Sequence, residues 1–186
     1  MTDPRFFGYG SLVNLATHTY PDTQTAQVSG WRRVWVQTGE RDVAFLSVQP
    51  DPNCTIAGMM ATVPGGDWAA LDLREAAYAR HLVTAEVAQG LLEGALYVVP
   101  GASQVVCDPP ASILLSYLDV VVQGYLKAFG ADGAAQFFAT TSGWDRPVLD
   151  DRAAPIYPRH QPLGPEETAC VDRHLAQLSA VIKQRE

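Results

Sequence analysis

The sequence predicts an α+β fold. Runs of β-branched and aromatic residues with partial alternation fill most of the first two thirds of the chain. Turn-forming residues separate them at short intervals. One helical segment interrupts them, and the long helical patterns come late, which segregates helices from strands. Short strands in this number can close into a small barrel, which removes exposed sheet edges.

The elements follow in order. "RFFGYG" (5–10) reads as a strand ending in a turn. "SLVNLATH" (11–18) reads as a helix start with Ser11 as its cap. "QVSGWRRVWVQ" (27–37), "VAFLSVQ" (43–49) and "IAGMMATV" (56–63) read as strands, the last two separated by the turn-rich "PDPNC". In "GDWAALDLREAAYAR" (66–80) the period changes to that of a helix, with Asp67 as N-cap. "HLVTAEV" (81–87) and "GALYVV" (94–99) return to strand character. Pro109-Pro110 opens a long helix over 111–130, and "GAAQFFATT" (133–141) reads as a further short one. Residues 142–164 form a proline-rich loop. "PEETACVDRHLAQLSAVIKQ" (165–184) is a helix with proline and acids in its first turn. The length of 186 residues fits one domain spanning 1–186, with 142–186 a proline-rich strap and C-terminal helix.

Composition narrows the function classes. The chain is 47% hydrophobic and 18% charged, ordinary for a globular protein. Its net charge is −7, and its basic residues are scattered, which argues against a nucleic-acid partner. Arg32-Arg33 is the densest basic pair and reads as solvated surface. No apolar run reaches the ~18 residues of a membrane span, and no secretory signal is visible. Cys54, Cys107 and Cys170 are far apart and form no C-x-x-C pair, as expected of reduced thiols in a cytoplasmic protein. His18, His81, His160 and His174 have no ligand spacing, so no metal site is expected.

Two features carry chemistry. On a helix over 67–80, Glu75 falls on one face with Trp68, Leu71 and Tyr78. A carboxylate on an apolar stripe needs a partner or takes up a proton. It is either paired, with Arg74 or a distant arginine, or solvated by a rotation of the helix, or it is a general base of raised pKa. The second feature is Gly8-Tyr9-Gly10-Ser11. The glycines permit a positive φ in a tight turn. A strand–turn–helix start also presents free backbone N–H groups, which favour anions and carbonyl oxygens. Neither a phosphate loop nor a G-x-S-x-G elbow is present, so Ser11 is a weak candidate for a nucleophile.

Together these stretches resemble the γ-glutamylcyclotransferase-like superfamily. "FFGYGSL" is similar to its N-terminal Tyr-Gly-Ser turn. "LDLREAAYAR" (71–80) is similar to its glutamate-bearing "RE-x-x-Y" helix. "SGWRRVWV" looks like its Gly-Trp-Arg strand, and "PASILLSYLDVVVQGYLKAFG" looks like its Pro-Ser-x-x-Tyr-Leu helix. The match covers roughly residues 5–140. The resemblance implies a small, mostly antiparallel barrel flanked by helices, a small-molecule γ-glutamyl substrate and no cofactor. In that family the substrate's α-amine attacks its own γ-carbonyl and releases 5-oxoproline. Carried over by position, Glu75 is the acid/base. Tyr9, Gly10, Ser11 and Leu12 form the glutamyl cradle, and Tyr117 is a pocket wall or hydroxyl donor.

The sequence departs from the family in three places. Leu12 stands where many members have asparagine. The Arg-Gly-Thr stretch of the glutathione-specific branch is replaced by "TGERDVAFLSVQ", which argues against glutathione as substrate. The segment 142–162 has no clear counterpart. Its Tyr157, Arg152 and Arg159 either fold over the barrel mouth and set specificity, or belong to a surface strap tied down by Asp–Arg pairs. Trp31 and Trp35 read as core. Trp68, on the Glu75 face, is the tryptophan best placed to serve as a binding platform.

Overall fold

The computed structural model describes residues 3–39 and 41–185. The barrel strands are β1 (Arg5–Gly8), β2 (Gln24–Gln37), β3 (Ala44–Thr62), β4 (Ala79–Val87) and β5 (Gly90–Val98). They run in the order β3-β1-β5-β4-β2, and the long β2–β3 pairing closes the circle. All pairs are antiparallel except β1–β5. Phe7, Val28, Trp35, Leu46, Ile56, Met60 and Leu96 fill the core.

The stretch "PDPNC" does not separate two strands, because 44–62 is one strand, but it interrupts the ladder with β2, and Asp51 accepts there from Asn53 N at 3.0 Å. Pro50 faces Trp31 of β2 in the register, while the pairing of β3 with β1 begins only at Met59. Both prolines therefore sit where β3 has an open edge, where the missing N–H costs nothing. The irregularity falls on β3 at this stretch: Ser29 pairs with Thr55 and Trp31 with Pro50, so residues 51–54 bulge opposite Gly30.

The expected helix over 66–80 is also shorter, α1 (Ala69–Arg74). The N-cap falls on Trp68, not on Asp67, which one residue earlier accepts from the Ala69 N–H at 3.0 Å. The chain then turns at Glu75 and enters β4, whose pairing with β5 begins at Ala79. Sheet pairing thus overrides a good local helix propensity.

Helix α2 (Leu115–Ala139) follows a two-residue strand, β6 (Ile113–Leu114). From Leu115 to Tyr125 it is buried on almost every side, as expected of a helix apolar all round. The two helices read from the sequence are one element broken at Gly130, whose φ of +71° interrupts it. Strand β7 (Thr141–Ser142) adds to β2. Next come β8 (Val148–Asp150), α3 (Pro165–Gln177) and β9 (Ile182–Gln184). The helix expected over 165–184 thus stops at Gln177, and its last residues pair with β8 instead. None of the described helices is long and apolar enough to cross a membrane.

Candidate active site

The turn after β1 is two short 3-10 turns, Ser11–Val13 and Leu15–Thr17, not an α-helix. Asn14 fixes them to α2: its side chain donates to Val120 O at 2.9 Å and to Gln123 Oε1 at 2.8 Å, and accepts from Ala16 N. Neither Gly8 nor Gly10 has a positive φ. They are glycines because of close approach. A Cβ on Gly10 would meet the Tyr117 hydroxyl at 2.7 Å, and one on Gly8 would meet the Leu12 Cβ at 2.6 Å. His18 braces the turn from outside, its Nε2 lying 3.0 Å from Leu12 O while its Nδ1 accepts from Tyr20 N.

Beneath the turn lies Arg33, 1% exposed. The sequence suggested solvated surface for the Arg32-Arg33 pair, and for Arg33 this is wrong. Its guanidinium donates to the carbonyl oxygens of Tyr9 and Ala57, to the Tyr125 hydroxyl and to Thr140. Its ring neighbours are Tyr125 and Phe137, with the guanidinium carbon 5.0 and 5.3 Å from their centroids. The carbonyl of Tyr9, and with it the turn, is held from within the barrel.

An inner pocket of about 30 Å³ opens above. It is lined by the turn from Gly8 to Leu12 and by Leu46, Glu75, Tyr78, Tyr97 and Tyr117. Glu75 follows the last residue of α1, where the chain leaves the helix, and its side chain is 16% exposed. Burial raises its pKa above the ordinary carboxylate value, although Arg74 and Arg159 pull it down. Arg74 Nε lies 3.2 Å from Glu75 Oε1. The same guanidinium donates to Ser11 Oγ at 3.2 Å and to Thr17 O at 2.9 Å. One arginine therefore ties the glutamate to the turn. Burial pushes the hydroxyls of Tyr9, Tyr78 and Tyr117 far above their usual range, so they serve as neutral hydrogen-bonding groups. Tyr9 donates to the Tyr97 carbonyl and Tyr78 to Leu46 O.

Three solved structures share this architecture. A γ-glutamyl cyclotransferase superposes with a TM-score of 0.61 at 11% identity, covering 92% of this chain and 99% of the other. An uncharacterised protein from Homo sapiens gives 0.62 at 12%, with the same coverage. A yeast γ-glutamyl cyclotransferase specific to glutathione gives 0.50 at 14%, over 96% and 97% of the two chains. The fold is the γ-glutamyl cyclotransferase-like fold. By sequence, no family model and no curated protein matches the chain.

On this γ-glutamyl cyclotransferase-like barrel, Tyr9, Gly10, Ser11, Leu12, Glu75 and Tyr117 come together in one pocket. Ser11 is not a cap, because its hydroxyl accepts from Arg74 instead. Trp68 lies outside the pocket, under the Arg80 guanidinium at 4.5 Å. Among the described residues, no three His, Cys, Asp or Glu side chains converge to hold a metal. Sequence reasoning gave no site role to Arg33, Tyr97 or Leu46. Arg74 figured only as a pairing partner, and Tyr78 only as a neighbour on the Glu75 face. Tyr78 carried a signal, three residues after Glu75. Arg33 carried none, since its partners are carbonyl oxygens contributed by distant segments.

Proposed function

We propose that the protein is a γ-glutamyl cyclotransferase, releasing 5-oxoproline from a small γ-glutamyl peptide or γ-glutamylamine. The supporting observation is that Glu75 and the Tyr9–Leu12 turn face one pocket. Nucleophile and electrophile belong to one substrate molecule, so much of the proximity is built in. A bond forms between the α-nitrogen and the γ-carbonyl carbon, and the bond from that carbon to the amine portion breaks. The α-ammonium loses two protons in becoming the lactam nitrogen, and the released amine gains two in becoming an ammonium. Glu75 takes a proton from the attacking nitrogen and returns it to the departing one, a task suited to a carboxylate of raised pKa. The first N–H groups of the 3-10 turn have no partner inside it and are the donors for the substrate carboxylate or the developing oxyanion. Arg74 holds Glu75 against Ser11 and keeps the carboxylate oriented.

The Arg74–Glu75 ion pair also favours a second reading, in which Glu75 only completes a binding site for a glutamyl group. One experiment separates the two. Wild-type protein and Glu75→Gln are incubated with a panel of γ-glutamyl peptides and amines, glutathione included, and 5-oxoproline is measured. Cyclotransferase chemistry predicts release by wild type and a loss of about 10²-fold or more in the variant. Binding without release by either protein supports the second reading.

A further inference from the structure

The inner pocket opens into a larger cavity of about 280 Å³. The two share Ser11, Leu46, Glu75, Tyr78 and Tyr117. A glutamyl group held at the turn therefore points its amine portion into this outer chamber. Much of the chamber wall is apolar, formed by Val43, Phe45, Leu114, Ile156 and Pro158. Two further cations line it, Arg41 and Arg159. Elsewhere in this acidic chain Arg32, Arg80 and Arg152 each pair with an aspartate. Among the described residues, neither Arg41 nor Arg159 has a carboxylate within 4.0 Å.

Arg159 is half-buried and sits on a braced segment. Asp151, 1% exposed, accepts from Ser116 N at 2.7 Å, Ser116 Oγ at 2.6 Å and Ile156 N at 2.8 Å. Tyr157 N donates to Ser116 Oγ, and the Tyr157 ring meets Tyr117 edge-on at 5.0 Å. The strap is thus fixed to the start of α2 and offers its arginine beside the site. Arg159 has no ion-pair partner among the described residues and acts on Glu75 only from beyond 4.0 Å, and a cation so placed in a partly apolar cavity favours an anionic ligand group.

We propose that the outer chamber selects γ-glutamyl conjugates whose amine portion has an apolar body and a carboxylate, with Arg159 and Arg41 binding that carboxylate. This rests on the cyclotransferase reading of the inner pocket. It assigns to the strap the choice between conjugates of amino acids or peptides and conjugates of uncharged or cationic amines.

The test compares γ-glutamyl-leucine with γ-glutamyl-leucinamide, which keeps the skeleton and removes the charge. Turnover to 5-oxoproline is measured for wild type, Arg159→Gln and Arg41→Gln. Calorimetric binding is measured on Glu75→Gln, and on the double variant that adds Arg159→Gln. The expected result is a preference for the carboxylate of about tenfold or more in kcat/KM, expressed mainly in KM and weakened by salt. It falls toward unity in Arg159→Gln and by less in Arg41→Gln, and the binding ratio falls in parallel. Turnover of both compounds at equal kcat/KM by wild type overturns the charge selection and leaves the cyclotransferase reading intact. If neither compound yields 5-oxoproline, the cyclotransferase reading fails for them and the binding ratio decides. A carboxylate preference that Arg159→Gln removes then upholds the arginine site, and equal or absent binding overturns it.

Discussion

The inner pocket holds about 30 Å³ and the outer chamber about 280 Å³, and they differ as much in construction as in size. The inner walls come from strands β1, β3 and β5, the turn after β1, the end of α1 and the start of α2. Tyr9 and Tyr78 in these walls are bound to fixed backbone atoms, the Tyr97 carbonyl and Leu46 O, and Arg33 beneath them holds the carbonyls under the turn. The outer walls add two loop segments, Arg41–Val43 and Ile156–Arg159. On the proposed function, reaction groups stand on a rigid scaffold and selecting groups on loops, the division expected where one chemistry serves varied substrates. In this molecule the outer loop is itself clamped, by a buried carboxylate.

Breaking that clamp carries the largest expected effect. Asp151→Ala leaves the N–H groups of Ser116 and Ile156 without their acceptor. It is expected to cost about 3 kcal/mol in urea unfolding, and to reduce the carboxylate preference more than kcat. A loss of kcat with the preference intact breaks the assignment of chemistry to one region and choice to the other.

The converse test is Arg33→Met, beneath the inner pocket. No aspartate or glutamate among the described residues pairs with Arg33, so no charge is stranded, but the carbonyls of Tyr9 and Ala57 lose a donor. A loss of about 2 kcal/mol in urea unfolding is expected, with kcat/KM falling equally for charged and uncharged conjugates. A selective loss for one of them contradicts the comparison.

The smallest effect is on stability against pH. Because burial raises the pKa of Glu75 in the folded chain, the folded state binds more protons there than the unfolded state does. Its contribution to stability is greatest below the ordinary carboxylate range and is lost as pH rises through the folded value. Glu75→Gln has no such loss, so melting curves should show the variant gaining on wild type as pH rises above the ordinary carboxylate pKa of about 4.3.

Much of this was legible in the sequence, and the gaps have physical causes. The strands of the barrel announced themselves by alternation, and Glu75 by its place between Leu71 and Tyr78. "PDPNC" read as a turn because proline cannot donate to a ladder, yet at an open edge no donor is required. The 66–80 helix was over-read because pairing of β4 with β5 is a long-range contact that local propensity does not report. The residues of the strap divide between two places. Arg152 is tied to Asp119 and Asp172 at 2.8 and 2.7 Å, while Tyr157 and Arg159 line the chamber. Which arginine took which part depended on where Asp151 anchors the loop, and that is set by α2.

The central claim is that Glu75 moves the proton, and the pH profile of kcat/KM tests it most directly. The account predicts an acid limb in wild type that lies above the ordinary glutamate range, because the carboxyl must be ionised to act and burial resists ionisation. The residual activity of Glu75→Gln should lack that limb. A limb that persists unchanged in the variant, or one that sits at the ordinary carboxylate pKa of about 4.3 in wild type, contradicts the account.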